Sequence, residues 1–351
     1  MKAANSNKRY AVKPVSDCLG ARLAHGLAWQ SADGRGVKIA KGALINQKLM
    51  ATLTAASFET IAVIRPHAGD VFEAEAASLL ADLFDTQAFD LKPAPGGRLN
   101  IYAKHHGLFF ADVDQVNHLN SLDEGLGLAT LETELVVKPG TLVASLKIVP
   151  FYIQQATLDA ALSLRSSTAL WLKPFVATKA RLIQTKLAHL KPSVLAKTET
   201  VMGNRLAAVG MTLTSCQQIQ HSQEAAVEAL AHATEDLVLI MGASAVCDRG
   251  DLLPSAIEAA QGQVLHFGMP VDPGNLLVLA KRDQQHIFIL PGCARSPEPN
   301  GTDKVLARLA ANLPVTSQTL MGYGVGGLLK ETASRGLARE NGAIPDAKTI
   351  D

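Results

Sequence analysis

The segment that most constrains this chain is 236–241, where Leu237, Val238, Leu239, Ile240 and Met241 run apolar without interruption. A strand with one wet face alternates apolar and polar residues. A run apolar at every position implies cover on both faces, as for a parallel strand between two helical layers. Its surroundings agree. RLIQTKL (181–187) is a strand candidate, and 198–210 reads as a helix that Gly210 can end. MTLTSC (211–216) is a second strand. Ser222 then caps a helix whose Ala226, Val227, Leu230 and Ala231 make an apolar stripe. PSAIEAAQG (254–262) reads as a short helix starting at its proline. QVLHF (263–267), NLLVLA (275–280) and HIFIL (286–290) are strands, and Asn300 caps a last helix with Asp303 as its capping-box partner. Such β-α alternation implies an open, mostly parallel sheet with helices on both faces and ligands beyond the carboxyl ends of its strands.

Residues 1–172 have a different texture. Ser16 begins a stretch to Gly26 suited to helix capping, and 31–46 is rich in turns, with Gly34, Gly36 and Gly42 between short strand-like runs. Helical spacing appears at 46–60 and 71–84. Alternating runs follow at 98–113 and 129–149, with Pro139–Gly140 as a turn. This reads as a smaller α+β, β-rich domain, so the 351 residues divide into domains at 1–172 and 176–316 and a flexible tail or linker at 317–351.

Charge excludes some partners. Thirty-three Lys and Arg against 32 Asp and Glu leave +1, too little for a bulk field toward nucleic acid or an anionic membrane. The polar start lacks the apolar run of a secretory signal, and the strongest apolar stretch, 237–246, falls well short of the roughly 18 residues that span a bilayer. Cys18, Cys216, Cys247 and Cys293 form no C-x-x-C pair. The expected setting is a reducing cytoplasm.

Two strand-to-helix connections carry chemistry. In 241–254 the small residues Gly242, Ala243, Ser244 and Ala245 let backbone N–H groups approach an anion, and Asp248, Arg249 and Asp251 add charge. In 290–303 Pro291–Gly292 turns the chain, Arg295 and Ser296 offer anion-binding groups, and a helix dipole begins after Asn300. Between them, 269–277 places Asp272 beside a Pro273–Gly274 turn.

Together, Gly242-Ala243-Ser244, Asp251, Pro273-Gly274 and Leu290-Pro291-Gly292, in this order, resemble the molybdopterin-binding domain family of molybdenum-cofactor biosynthesis. The wording GASAVCDRGDLLPSAIEAA, HFGMPVDPGNLL and LPGCARSPEPNG is closer to a bacterial subgroup fused to a nucleotidyltransferase-like domain, and MGYGVGGLLKE (321–331) resembles the linker before that domain. The resemblance implies a three-layer α/β domain of the MoaB/Mog-like type over about 176–316, preceded by an N-terminal domain of the molybdenum-insertion-protein type. It also implies homo-oligomers, and a nucleotidyltransferase or molybdoenzyme as partner. Ala243 replaces the second loop glycine of that family, and Asp251 lies about two residues further on, so Asp248 and Asp251 both remain candidates for its acidic position. The implied ligand is molybdopterin, held by Gly242, Ala243, Ser244, Arg249, Gly274, Pro291, Gly292, Arg295 and Ser296. Asp251 and Asp248 are the candidate catalytic groups, with Asp251 also a candidate for magnesium.

Plainer readings stand beside these. Asp251 also suits a helix N-terminus, Arg295 a surface ion pair, and Cys247 and Cys293 small apolar positions. His105, His106, Asp112, Asp114 and His118 lack metal-ligand spacing. Gly322, Gly324 and Gly327 match G-x-G-x-x-G without room for a βαβ unit. Three functions follow: a maturation enzyme inserting molybdate or processing a nucleotide form, a non-catalytic cofactor carrier, or a protein that keeps only the fold.

Overall fold

The computed structural model describes residues 9–31, 34–166, 169–188 and 190–329. The chain divides into two compact units, Met1–Leu172 and Lys173–Asp351. No helix among the described residues is long and apolar enough to cross a membrane.

The first unit is built from small antiparallel sheets. The largest joins Leu126–Thr130, Leu142–Ile148, Arg98–Ala103 and Phe89–Ala94. Its inward residues Leu99, Ile101, Leu146 and Ile148 are fully buried with Phe89 and Phe109. A second core gathers Val15, Cys18, Leu23, Ile45, Leu53 and Val63. Where a capping stretch was expected after Ser16, only the short 3-10 turn Val15–Asp17 forms, and the chain then enters the strand Arg22–Leu23. Lys138-Pro139-Gly140-Thr141 makes the expected turn, with Gly140 at φ 82° and Thr141 N–H bonded to the Lys138 carbonyl, but its flanking strands belong to different sheets.

The second unit is α/β with a mixed six-stranded sheet. Its elements are β1 (Lys179–Lys186), α1 (Pro192–Ala207), β2 (Thr212–Gln220), α2 (Gln223–Ala231), β3 (Leu237–Met241), α3 (Leu252–Ala259), β4 (Gln263–Phe267), β5 (Val278–Arg282), β6 (Gln285–Leu290), α4 (Gly301–Ala310) and α5 (Ser317–Met321). The strand order is β2-β1-β3-β6-β5-β4. The first four are mutually parallel, and β5 runs against both β6 and β4.

Every residue of β3 is buried, as its composition demands. Ile183, Val238, Ile240, Ile287 and Ile289 pack on one face with Ala226, Leu230, Ala256 and Ile257 of α2 and α3. Gln184, one residue on from Ile183, points the other way, and its Nε2 donates to the Leu195 carbonyl of α1 at 3.0 Å. Helices therefore cover both faces. Each large side chain so buried contributes about 1.5–3 kcal/mol.

Three boundaries differ from expectation. α1 begins at Pro192, which sits at its N-terminus where a missing N–H costs nothing. α3 begins at Leu252 with Asp251 as N-cap, so Pro254 lies inside the first turn instead of starting the helix. In the described part of the expected linker, α5 occupies Ser317–Met321, Asp272 N–H donates to the Gly327 carbonyl, and Leu329 N–H to the Asp272 carbonyl. A Cβ on Gly327 would meet the Pro270 carbonyl oxygen at 2.2 Å, so this glycine serves close packing.

At the amino-terminal edge of the sheet, Glu235 accepts from Arg181 Nε of β1 and Ser215 Oγ of β2, both at 2.8 Å. Burial alone would raise its pKa. The bonds from Arg181, Ser215 and the backbone outweigh burial and hold it at about 2, below the ordinary 4.5. A depressed folded-state pKa gives stability that is complete above about 4.5 and lost as pH falls toward about 2. Glu235→Gln should lose that acid sensitivity, and urea unfolding midpoints across this range will show wild type falling more steeply than the variant.

Candidate functional site

Parallel pairing places the carboxyl ends of β2, β1, β3 and β6 along one edge. Gln184 lies opposite Gln218 on one side and Met241 on the other, and Met241 lies opposite Leu290. Four chain segments therefore lie on the same side: Thr185 next to last in β1, His221 after β2, Gly242–Asp251 after β3, and Pro291–Asn300 after β6. Open α/β sheets bind ligands at such an edge.

The loop after β3 is fixed by its own glycine. A Cβ at Gly242 would meet the Ser244 carbonyl oxygen at 2.6 Å and Leu253 Cδ1 at 3.1 Å, so the small residue permits the tight turn itself. Ala243 N–H donates to Thr185 Oγ1 at 2.7 Å. Thr185 Oγ1 and His221 Nδ1 are 2.8 Å apart, and His221 Nε2 and Ser244 Oγ 3.1 Å apart. Further along, Asp248 accepts from Gly250 N–H at 2.7 Å, and Arg249 donates to the Val264 carbonyl at 3.3 Å. Asp251 accepts from Leu252 N–H at 2.6 Å and from Cys247 N–H at 3.1 Å, with the Cys247 thiol at 3.6 Å from the same oxygen. Burial opposes its ionisation, but these bonds and the nearby His221 prevail and lower its pKa from the ordinary carboxylate value. Asp251 thus caps α3, closes the 247–251 turn and stays anionic.

The loop after β6 opens with the 3-10 turn Gly292–Arg295. Arg295 Nη1 donates to Thr198 Oγ1 on α1 and Nη2 to the Gly242 carbonyl, both at 2.8 Å, which binds the two loops directly to one another. Burial lowers the Arg295 pKa from its ordinary value. Ser296 Oγ accepts from Glu298 N–H at 3.3 Å. Arg205 of α1, buried, donates to the carbonyls of Ser296 and Glu298 and pairs with Asp303, holding this loop on α4. The first amides of α4 are taken: Gly301 N–H by the Pro273 carbonyl and Thr302 N–H by Asn300 Oδ1, each at 2.9 Å. The α4 terminus expected to face an anion is therefore capped from within. Pro291 is buried, whereas Gly292 is exposed and a Cβ there would meet nothing within 4 Å.

The third segment acts elsewhere. Gly274, at φ 134°, packs so that a Cβ would meet Gly301 N at 2.5 Å. Its position fits a clasp under α4. The edge also gathers Thr185, Thr198, Arg205 and His221, which sequence reasoning missed. Thr185 and His221 carried one signal, their places at or just past the carboxyl ends of parallel strands.

Magnesium, the other candidate ligand of Asp251, would have few protein donors here. Asp251 offers a single carboxylate whose two oxygens already accept local N–H groups, and no trio of His, Cys, Asp or Glu among the described residues is arranged to hold a metal. Asp112 instead caps a helix through Gln115 N–H. In the first unit, two cavities of about 350 and 390 Å³ share Arg9, Val149 and Pro150. Arg9 is committed to Asp70 at 2.6 and 2.7 Å.

No family model matches the sequence, and no curated protein matches it. Among solved structures, the chain is similar to a molybdenum cofactor biosynthesis protein B, at 14% identity over 38% of this chain and 87% of that one, with a TM-score of 0.26. It is also similar to a molybdopterin biosynthesis MoeA protein from Pyrococcus horikosii, at 12% identity over 90% of this chain and 76% of that one, with a TM-score of 0.27. The chemistry of the edge rests on its own residues.

Arg295→Ala leaves the Gly242 carbonyl and the Thr198 hydroxyl without their shared donor, and should cost about 2–3 kcal/mol in urea unfolding. Arg295→Lys should recover less than half of that, because an ammonium cannot reproduce the planar fork.

Proposed function

We propose that this edge binds molybdopterin and that the chain takes part in molybdenum-cofactor biosynthesis. The observation that carries the reading is the pair of loops after β3 and β6, leaving adjacent parallel strands and joined by Arg295, with Ser244, Gly292 and Asp251 on the edge they form. Molybdopterin offers a phosphate, a pterin edge rich in N–H donors and an ene-dithiolate. A hydroxyl donor and exposed backbone suit the phosphate; an anionic carboxylate suits the pterin N–H groups. The sequence resemblance at Gly242-Ala243-Ser244, Asp251 and Leu290-Pro291-Gly292 supports the same ligand.

Binding is the primary activity in this reading. Asp248 and Asp251 each hold backbone amides of their own loop, which favours a module that keeps the cofactor for a nucleotidyltransferase or molybdoenzyme. A second reading, catalysis through Asp251 in molybdate insertion or nucleotide processing, draws on its ionised state beside His221. An Asp251→Asn protein with undiminished turnover would remove Asp251 from it.

The test of binding uses Gly292, because Gly242 cannot change without disturbing the turn. Gly292→Val should fold normally, since its Cβ has open space, while its branched side chain obstructs the loop mouth. Purified wild-type chain incubated with molybdopterin should retain a pterin that fluoresces after oxidation, and the variant should retain little. Equal retention by both, or none by wild type, defeats the reading.

A further inference from the structure

The chain Ala243–Thr185–His221–Ser244 has a direction. Ala243 N–H can only donate, so Thr185 Oγ1 accepts from it at 2.7 Å. Thr185 is fully buried, and its hydroxyl proton needs an acceptor. Among the described residues, the acceptor within reach is His221 Nδ1, at 2.8 Å. That nitrogen must then be bare, which puts the imidazole proton on Nε2, pointing at Ser244 Oγ at 3.1 Å. Ser244 is exposed, and with His221 donating to its oxygen, its own proton faces outward from the edge.

We propose that Thr185 and His221 are positioning residues that turn Ser244 into a one-way hydrogen-bond donor for a phosphate monoester oxygen. This rests on the binding reading above and names the group that meets the phosphate. Each member donates to the next, so the bonds polarise one another toward Ser244. The same direction makes His221 unable to accept the Ser244 proton, so Ser244 acts as a donor to the ligand and not as a nucleophile activated by this imidazole. With Arg205 and Arg295 committed to protein groups, this hydroxyl is a polarised donor to an anion at the edge, beside the exposed Arg249, one of whose N–H groups bonds the Val264 carbonyl.

The experiment is a side-chain ¹⁵N spectrum of the full chain with labelled histidine, with titrations of inorganic phosphate and molybdopterin. At neutral pH, His221 should show the Nε2–H tautomer. Thr185→Val should shift it toward Nδ1–H or a mixture and weaken phosphate-ester binding about tenfold, while Thr185→Ser restores both. Ser244→Ala should weaken binding to a similar extent and leave the tautomer unchanged. An Nδ1–H tautomer in wild type overturns the inference, as does Thr185→Ser behaving like Thr185→Val. The predicted tautomer with phosphate bound and molybdopterin refused keeps the donor chain and defeats the pterin reading instead.

Discussion

The parallel pairing of β3 with β6, with Met241 opposite Leu290, is the constraint from which the site follows. Had β6 run the other way, its loop would leave from the opposite edge, and Arg295 could not reach the Gly242 carbonyl. With the strands aligned, one guanidinium spans both loops and anchors them to Thr198 of α1. The two edges of the sheet then divide the work. Glu235, Arg181 and Ser215 lock the amino-terminal edge with charged hydrogen bonds, while the carboxyl-terminal edge presents loops held from beneath.

Cations at that edge build architecture. Arg205 ties Ser296, Glu298 and Asp303 together, Arg295 joins two loops, and Arg249 reaches Val264. Buried or half-buried guanidinium groups with several acceptors are costly to leave unpaired, so Arg205 and Arg295 are fixed by the protein's own acceptors, while Arg249 stays exposed. In the proposed site, a neutral donor, the Ser244 hydroxyl, meets the anion with its direction set by its neighbours. Arg295 and Ser296, which sequence alone offers as anion ligands, shape the loop that a ligand would meet.

Much of the second unit was legible because its signals are local. β3 needs cover on both faces, Ser222 and Asn300 cap the helices expected of them, and the capping box with Asp303 forms as its spacing suggests. The reversal of β5 was not legible, since an apolar run reads alike in either direction and only pairing decides it. The start of α3 moved because Asp251 is the better cap, and Pro254 is tolerated anywhere in the first turn. In the site, the turns around Gly242 and Pro291 announced themselves through small residues and proline. Thr185 and His221 did not, because the strand order β2-β1-β3 brings them to Ser244 from separate parts of the chain. Within 317–329, which reads as a linker by composition, Gly327 and Leu329 pair with Asp272, a long-range contact that composition does not encode.

The most direct measurement of the central claim is a backbone amide NMR titration of the full chain with molybdopterin. Joint shifts at Ala243, Ser244, Gly292 and Arg295, with His221 moving alongside, are the expected result, because one ligand would touch both crossovers. Shifts confined to a single loop, or to residues of the first unit such as those around Arg9, would contradict it.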